Sequence, residues 1–365
     1  MAIPASGAIN LAGTSSPVSV ASELGLGLTT AITMNDAAVR TLAGAGGSGV
    51  SWSMSSLYGK ANRVSISYTF SASTANASLN VAAIGGYIAG KSNITVTVNS
   101  GVYLYATTTG GYALNLTGGT AGDTVTLVNN GFIMGQGGTG GSVIDSTYPA
   151  ATAGGPALNL GFGVSTITIN TQSGYIGGGG GGGGVGSAVK AVTTAGGGAG
   201  GGAGGSQTFN SSPPSYYAGG TGGGIGSSGG NGQAQTSFDV TGGGGGRIMP
   251  GTTIAGPTSS NNFAAGYGGS AGGTGAEANV NAASTSTGGS GGGGGSAGGS
   301  GYSNTYGAAS GGGGGWGASG GAGVATGDTP VARPGAAGGK AVNTNGFGIT
   351  WTGGFNSGRV FGAVS

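Results

Sequence analysis

Few side chains in this sequence could carry out catalysis. The 365 residues include no His and no Cys, so the chain has no imidazole general base, no thiolate nucleophile and no Cys/His metal site. The acidic residues are Glu23, Asp36, Asp123, Asp145, Asp239, Glu277 and Asp328. Asp123 and Asp145 are the closest sensible pair for the two carboxylates, about 5–10 Å apart, that glycosidases need. Both sit beside turn-forming residues, where Asp is more often structural, so we predict no enzyme, no metal site and no cofactor.

Charge and hydropathy exclude further classes of protein. Lys and Arg together number 9 and the net charge is +2, which provides no basic stripe for nucleic acid. No apolar stretch reaches the roughly 18 residues that span a bilayer. The first residues lack the basic and apolar regions of a secretory signal peptide. We therefore expect a chain that stays in the cytosol or leaves it inside an assembly.

Glycine dominates the composition, with 98 residues against about 7 % in average proteins. Most of these glycines lie between residues 177 and 340. They form runs at 177–184, 196–205, 219–226, 242–246, 266–275, 288–301, 311–323 and 335–339. A flexible linker is one interpretation, but linkers rarely carry residues such as Ile225 and Trp316 among their glycines. We predict instead packed polyglycine II helices, with three residues per turn as in polyproline II, whose backbone groups bond laterally.

Three short helices are predicted in residues 1–60. Ser16 and Pro17 provide an N-cap and a first helical residue before 18–25, and Asn35-Asp36 begins a second helix over 37–44. Residues 53–59 give a third, weaker signal. Each helix is about two turns long and too short to be stable alone. The segment is therefore an ordinary N-terminal subdomain or a docking module for a partner surface.

Residues 61–176 have the pattern of an all-β region. Polar and apolar residues alternate at 64–70, 94–98, 124–128 and 166–169, with Asn-Gly turn signals between them. The sequence Ala-Leu-Asn-Leu occurs at 113–116 and again at 157–160, and each copy precedes a Thr-rich strand and a glycine segment. This repeat favours stacked rungs of a short β-solenoid. A β-sandwich is the alternative.

Aromatic residues are concentrated in alternate loops between the glycine runs. If each run crosses the array once, the loops 206–218, 247–265 and 302–310 share one end, and 185–195, 227–241, 276–287 and 324–334 share the other. The first set contains Phe209, Pro213, Pro214, Tyr216, Tyr217, Phe263, Tyr302 and Tyr306. The second contains one aromatic residue, Phe238. Exposed aromatic rings are typical recognition groups, so we predict one binding tip; a cap that closes the array is the alternative.

The final residues, 341–365, predict two closing strands around Trp351 and Val360. The apolar ending predicts a terminus that folds back onto the β region. The predicted fold is thus mainly β with a polyglycine II array. Its parts are a small helical N-terminal module (1–60), a β-solenoid or β-sandwich (61–176), the glycine-rich tip (177–340) and closing strands (341–365).

The N-terminal sequence resembles a module of tail and tail-fibre proteins of tailed bacteriophages. The resemblance rests on 3–9, on Met34-Asn35-Asp36 through 44, and on the ending Leu57-Tyr58-Gly59-Lys60. It implies attachment to other phage tail proteins. The residues of this motif that we assign to virion attachment are Asn35, Asp36, Arg40, Leu57 and Tyr58.

The glycine runs and their variable loops resemble the receptor-binding adhesins at the long tail-fibre tips of T-even-like phages. The resemblance implies a rigid array whose loops bind a host outer-membrane protein or lipopolysaccharide, on a virion assembled in the host cytoplasm. The receptor-binding residues would be Phe209, Tyr216, Tyr217, Phe263, Tyr302 and Tyr306. A homotrimer and a single copy on a trimeric fibre both fit. A non-adhesive structural virion component, such as a minor tail, collar or decoration protein, is the alternative function.

Overall fold

The structure is a computed structural model of the chain. It describes residues 3–12, 19–27, 29–60, 62–164, 166–188, 191–209, 215–234, 239–260, 263–279, 285–304, 307–327 and 329–365. Among these residues, no helix has the length and hydropathy needed to cross a membrane. The described chain is mainly β, as predicted.

The N-terminal helices are α1 (Val20–Glu23), α2 (Ala37–Ala43) and a 3-10 helix (Met54–Leu57). The predicted bounds of α2 are confirmed, and Gly44 ends the helix with a φ of 69°. The predicted start of the first helix, Ser16-Pro17, lies outside the described residues; in the structure Ser19 caps α1 by accepting a hydrogen bond from Ser22 N. The three helices share a core formed by Ile3, Val20, Val39, Leu42, Ala43 and Leu57.

A buried carboxylate joins this helical module to the β region. Glu23 of α1 is buried, and its Oε1 accepts a hydrogen bond of 2.8 Å from Asn62 N and lies 3.4 Å from Lys91 Nζ. The Lys91 ammonium also donates to the Glu23 carbonyl oxygen at 3.2 Å. A buried charge needs such partners to offset its lost hydration, so these contacts fix α1 beside the first strands.

The strands up to the first long glycine run are short and numerous. Their bounds are β1 Val64–Phe70, β2 Thr74–Ala75, β3 Ala77–Asn80, β4 Ser92–Val98, β5 Tyr103–Tyr105, β6 Leu114–Gly118, β7 Thr124–Asn129, β8 Phe132–Met134, β9 Val143–Ile144, β10 Leu158–Phe162, β11 Thr166–Asn170 and β12 Tyr175–Gly177. A 3-10 turn at Val81–Ala83 follows β3.

The remaining strands lie between and after the glycine runs. Their bounds are β13 Gly186–Ala188, β14 Ala191–Thr193, β15 Gln207–Phe209, β16 Ser215–Tyr217, β17 Asp239–Val240, β18 Thr258–Ser260, β19 Phe263–Ala264, β20 Glu277–Asn279, β21 Thr285–Thr287, β22 Tyr302–Ser303, β23 Gly307–Ala309, β24 Val324–Thr326, β25 Val331–Ala332, β26 Val342–Asn343, β27 Ile349–Trp351 and β28 Val360–Phe361.

Three parallel sheets, called the rung sheets here, make up the β region within the described residues. Their strand orders are β1-β4-β7-β11-β27, β2-β5-β8-β12-β28 and β3-β6-β10-β26. The chain visits each sheet in turn and then begins the next circuit, one strand further along. The apolar side chains that alternate along these strands, such as Ile94, Leu104 and Leu116, form one buried core.

The predicted repeat is confirmed by strand register. Leu114 pairs with Leu158 and Asn115 with Asn159 in neighbouring parallel strands, and Phe132 pairs with Tyr175. The two copies of the repeat therefore occupy successive circuits. Three closing strands, rather than the predicted two, extend the same pattern, because β26, β27 and β28 each add to one of the three rung sheets. The prediction that the C-terminal segment folds back onto the β region is confirmed.

A buried Asp fixes a turn in this β region. Asp123 accepts hydrogen bonds from Ser92 N and Thr120 N, both at 2.9 Å, and from the Tyr87 hydroxyl at 2.7 Å. Burial raises the pKa of the Asp123 carboxyl, but these hydrogen bonds stabilise the ionised form more strongly and leave the pKa below its usual value.

Replacing Asp123 with Asn should therefore weaken folding in a pH-dependent way. A lowered folded-state pKa contributes stability above the unfolded pKa of about 3.9 and loses it as the pH falls through the folded value. We expect Asp123→Asn to lower the free energy of unfolding at pH 7 by about 1.5–3 kcal/mol. Urea unfolding from pH 7 to about pH 2 measures this loss, which should shrink with acidification. A loss that stays the same between pH 7 and pH 2 would contradict the assignment.

The glycine runs leave the rung sheets from one corner. The chain departs after β8 and returns at β10, and it departs again after β12 and returns at β26. Both excursions thus run from the second rung sheet to the third. Residues 135–157 form the first excursion, which the sequence interpretation did not include among the glycine runs.

The glycine run 178–184 shows how these segments bind one another. Successive N–H groups donate to three different neighbouring segments, and the same neighbour recurs every third residue. Gly179 N donates to Gly155 O and Gly182 N to Thr152 O, both in the first excursion. Gly180 N donates to Ala199 O and Gly183 N to Gly196 O, both in the run 196–205. Gly181 N donates to Ala318 O and Gly184 N to Gly321 O, both in the run 311–323. Three further segments donate to this run, through Gly138 N to Gly180 O, Gly314 N to Gly181 O and Ala336 N to Gly182 O. The run therefore has six hydrogen-bonded neighbours.

The spacing of these segments leaves no room for side chains. A Cβ atom placed on Gly179 would lie 1.9 Å from Gln136 O, and one on Gly182 would lie 1.9 Å from Thr139 O. Both obstacles are backbone atoms of a neighbouring segment, which cannot rotate away. Glycine is needed here for close approach of the backbones.

Several glycine runs reverse direction in the middle. Turns with positive φ occur at Gly200-Gly201, Gly226, Gly294 and Gly317. The two sides of each turn then bond to each other, as in Gly230 N to Thr221 O and Gly299 N to Ser290 O. Residues 227–232, which were predicted as part of a loop, therefore belong to the array. Each such run crosses the array twice, so the loops at its two ends emerge on the same side.

The predicted division of the loops between two ends of the array is therefore wrong. Strand β20, from the loop 276–287, pairs with β19 from 247–265 and with β23 from 302–310, although these loops were assigned to opposite ends. The prediction fails because it requires each run to cross the array once, whereas several runs cross it twice. Because every residue at such a turn can be glycine, the sequence does not show where a run of glycines reverses its direction.

Candidate functional site

Hairpins from both predicted loop sets meet in four small sheets, which we call tip sheets 1 to 4, within the described residues. Their orders are β16-β15-β9 (tip sheet 1), β17-β14-β13-β25 (tip sheet 2), β19-β20-β23-β24 (tip sheet 3) and β18-β21-β22 (tip sheet 4). Strand β9 belongs to the first excursion, and the other strands belong to the second. The array thus carries all of these hairpins at one end.

The tip sheets pack as successive layers. Gln207 of tip sheet 1 is buried, and its Nε2 donates to Val192 O and Val240 O of tip sheet 2, at 2.9 and 3.2 Å. Strand β13 packs on β23, and β14 on β20, which joins tip sheets 2 and 3. Strands β20 and β23 contact β21 and β22 of tip sheet 4. Small side chains such as Ala278 and Ala308 fill the centre and allow the close spacing.

The predicted receptor-binding aromatics lie in or beside these tip sheets. Tyr216 of β16 and Tyr302 of β22 are exposed, by 64 % and 58 %. Tyr217 and Phe263 are half-buried, and Phe263 packs on the Ala-rich centre. Phe209 ends β15. Tyr306 lies outside the described residues, as do Pro213, Pro214 and Phe238.

Sequence reasoning missed the contribution of the first excursion to the tip. Ile144 of β9 is 43 % exposed and pairs with Thr208 of β15. The glycines at 135, 137, 138, 140 and 141 before it, and 154 and 155 after it, could have indicated another hairpin in the array. They were overlooked because they form no run as long as those after residue 177.

The opposite end of the array rests on aromatic side chains of the β region. The rings of Tyr103, Phe132, Tyr175 and Phe361 stack in order along the second rung sheet, with centroids 4.6, 5.8 and 6.2 Å apart. Trp316 is fully buried in the turn of its glycine run and packs with Met134, Met249 and Phe361. Its Nε1 donates to Ile248 O at 3.0 Å.

Arg247 adds a polar contact at the same junction. Its Nε donates to Gly200 O at 3.0 Å, and its guanidinium also bonds to the Gln136 Oε1 atom and lies 5.2 Å from the centre of the Tyr105 ring. Burial lowers the pKa of Arg247 from its usual value, although an arginine remains charged at neutral pH. These contacts fix the array on the rung sheets and hold the tip sheets away from them.

Comparison with known proteins identifies the family of this chain. The sequence model of the family described as "Phage tail fibre adhesin Gp38" matches residues 65–247, from β1 to the end of the fourth glycine run. The chain belongs to the phage tail fibre adhesin Gp38 family. This adhesin is thus a component of the phage tail, and the predicted role of a receptor-binding tail-fibre protein is confirmed.

The adhesin is similar to the solved gp37-gp38 adhesin tip complex of the bacteriophage S16 long tail fiber, with 16 % identity and a TM-score of 0.35 over 86 % of this chain and 87 % of that one. None of the curated proteins matches the adhesin.

The predicted attachment residues of the adhesin surround helix α2. Arg40 is buried, and its guanidinium donates to Gly46 O at 2.8 Å, Val50 O at 2.9 Å and Asn35 Oδ1 at 3.3 Å. Asp36 accepts hydrogen bonds from Thr33 N and the Thr33 hydroxyl, which lower the pKa of its carboxyl. A cavity of about 310 Å³ beside α2 is lined in part by Asn35, Arg40 and Gly46.

The other two attachment residues have internal contacts. Leu57 is fully buried in the helical core, and the Tyr58 hydroxyl donates to Gly7 O at 2.6 Å. Their contacts stabilise the module from within. The attachment role of the five residues stays a prediction. Among the described residues of the adhesin, no group of His, Cys, Asp and Glu is placed to hold a metal ion.

Proposed function

We propose that the adhesin presents its receptor-binding hairpins on an array of polyglycine II helices. The three-residue recurrence of neighbours along 178–184 supports this, because a helix with three residues per turn directs every third N–H group the same way. The six neighbours correspond to hexagonal packing. Lateral hydrogen bonds satisfy the buried backbone groups, with weak Cα–H···O contacts between them. The array is then rigid without a side-chain core.

The β region that supports the array is, in this proposal, a short β-solenoid. Three parallel sheets visited in turn support a solenoid over a sandwich, whose two sheets pack face to face. The organisation we propose is an attachment module at 1–60, a solenoid within 61–176 completed by 341–365, and an array with binding hairpins at 177–340, to which the first excursion, 135–157, adds.

The convergence of the hairpins at one end is the observation that carries the proposed receptor site. Two exposed tyrosines, Tyr216 and Tyr302, lie there, and with Phe209, Tyr217, Phe263 and Tyr306 they would contact the receptor. Tyrosine provides a large contact area at low cost in conformational entropy. The partner would be an outer-membrane protein or lipopolysaccharide of the host.

The N-terminal module would join the adhesin to other phage tail proteins. The surface around the cavity beside α2 supports this, because Asn35 and Arg40 line it while Leu57 and Tyr58 fix the helices behind it. The glycine array then separates the attachment surface from the receptor site.

Purified adhesin should block infection of host cells by competing for the receptor. Exchange of the loop 206–218 for that of an adhesin with another host range should abolish the block on the original host. Phage titre after preincubation of cells with protein measures both effects. Gly224→Ala is the matched control, since a Cβ there meets nothing within 4 Å. Failure of the folded wild-type protein to reduce infection would refute the receptor-binding proposal.

A further inference from the structure

We propose that the adhesin binds an uncharged saccharide on two flat faces beside the hairpin ends, the outer faces of tip sheets 1 and 4. This inference rests on the proposed function, because it assigns a ligand chemistry to the same tip. It keeps the two exposed tyrosines, Tyr216 and Tyr302, and adds the side chains that lie beside them on the neighbouring strands.

The outer face of tip sheet 1 carries a row of one tyrosine, one threonine and one isoleucine. Thr208 pairs with Tyr216 on one side and with Ile144 on the other, so the three side chains lie on the same face of the sheet. Tyr216 and Ile144 are exposed and Thr208 is half-buried. The adjacent row, Tyr217, Gln207 and Val143, faces inward, where Gln207 and Val143 are buried.

Tip sheet 4 repeats the arrangement. Thr287 pairs with Tyr302 and with Thr258, and Tyr302 and Thr258 are exposed. The Thr287 hydroxyl donates to the Thr258 hydroxyl at 3.3 Å. The adjacent row includes Ser286 and Ser303, which are buried. A Tyr-Thr row therefore occurs twice, on strands that are far apart in the sequence.

The layer order places the two rows on different sides of the tip. Tip sheet 1 contacts tip sheet 2, tip sheet 2 contacts tip sheet 3, and tip sheet 3 contacts tip sheet 4. Tip sheets 1 and 4 are thus the outermost layers. Each row spans three strands, or about 10 Å, which gives two separate flat surfaces.

The chemistry of these rows fits a sugar ring. The apolar C–H face of a pyranose can stack on a tyrosine ring, and sugar hydroxyls can exchange hydrogen bonds with threonine and tyrosine hydroxyls, which both donate and accept. The two rows, Tyr216-Thr208-Ile144 and Tyr302-Thr287-Thr258, contain no charged side chain, so neither row offers a cation to pair with a phosphate group. The rows therefore favour a neutral polysaccharide.

Binding of full-length adhesin to polysaccharide tests the two faces. The probe is the polysaccharide released from host lipopolysaccharide by mild acid and freed of lipid A. Calorimetry should show about a tenfold weaker Kd for Tyr216→Ala and for Tyr302→Ala, equivalent to about 1.4 kcal/mol each. The double variant should be weaker than either. Tyr→Phe at either position should retain most of the affinity, and an increase in salt should change it little.

Tyr267→Ala is the matched control, because this tyrosine is 45 % exposed but lies in a glycine run rather than on either face. The Tyr267→Ala variant should bind the polysaccharide with the affinity of the wild type. All variants should have the melting temperature of the wild type. If wild-type adhesin blocks infection but does not bind the polysaccharide, the saccharide faces are wrong and the proposed function stands, with a protein receptor favoured. If the wild type binds the polysaccharide and the face variants bind it equally well, the saccharide site lies elsewhere and the two faces are wrong. If the adhesin neither blocks infection nor binds, the proposed function fails as well.

Discussion

Replacing Gly182 with Ala should disrupt the glycine array, although it adds a single methyl group. The new Cβ would lie 1.9 Å from Thr139 O, and the Gly182 N–H donates to Thr152 O at 3.1 Å on another neighbour. Relief of the clash must displace either Thr139 or the run 178–184, and that run is held by six hydrogen-bonded neighbours. Overpacking of a core costs about 1–3 kcal/mol and sometimes more. With no flexible side chain to adjust, we expect a loss of about 3 kcal/mol or more in the free energy of unfolding.

Thermal unfolding and limited proteolysis measure this effect. Gly182→Ala should lower the melting temperature and expose the glycine runs to cleavage. The same substitution at Gly224 meets no atom within 4 Å and should be neutral or stabilise by about 0.4–1 kcal/mol, because alanine reduces the entropy of the unfolded chain. Equal melting temperatures for the two variants would contradict a close-packed array.

Replacing Trp316 with Ala should have the second large effect. Trp316 is fully buried between the array and the rung sheets, against Met134, Met249 and Phe361. Its removal leaves a cavity and leaves Ile248 O without the indole donor. Substitution of a buried Trp by Ala costs about 3–5 kcal/mol.

Denaturant unfolding of the full-length adhesin measures this cost. Tyr267→Ala also removes an aromatic ring from a glycine run, but from an exposed position, and should cost less than about 0.5 kcal/mol. The cost of Trp316→Phe should lie between the costs of these two substitutions, because phenylalanine retains much of the packing but cannot donate the hydrogen bond. A cost for Trp316→Ala below about 1 kcal/mol would show that the turn does not fix the array to the rung sheets.

The sequence predicts the β region well because its strands carry local signals. Alternation marked β1, β4, β7 and β11, and the repeated Ala-Leu-Asn-Leu anticipated the pairing of Leu114 with Leu158. The helix α2 has a terminating glycine, Gly44, and its bounds were predicted correctly, although Asp36 makes no side-chain capping hydrogen bond. In each case the residues that determine the element lie within it.

The arrangement of the tip could not be predicted in the same way. Whether a run of glycines continues or reverses depends on the segments around it. Gly200 and Gly201 have positive φ, but no neighbouring residue type indicates a turn at this position. The aromatic residues were found, but not their partners. Ile144 and Thr208 lie side by side only because strand β9 of the first excursion pairs with strand β15 of the second excursion.

The insertion of the array between β12 and β26 delays completion of the rung sheets during synthesis. Strand β11 at Thr166–Asn170 acquires its outer partner only when Ile349–Trp351 has been made. At about 5–20 residues per second, that edge waits roughly ten to forty seconds. The nascent chain thus carries an open, apolar sheet edge while it is still on the ribosome, and such edges are prone to aggregate. The yield of folded adhesin should therefore depend on the rate of synthesis and on chaperones, even though the completed adhesin is stable.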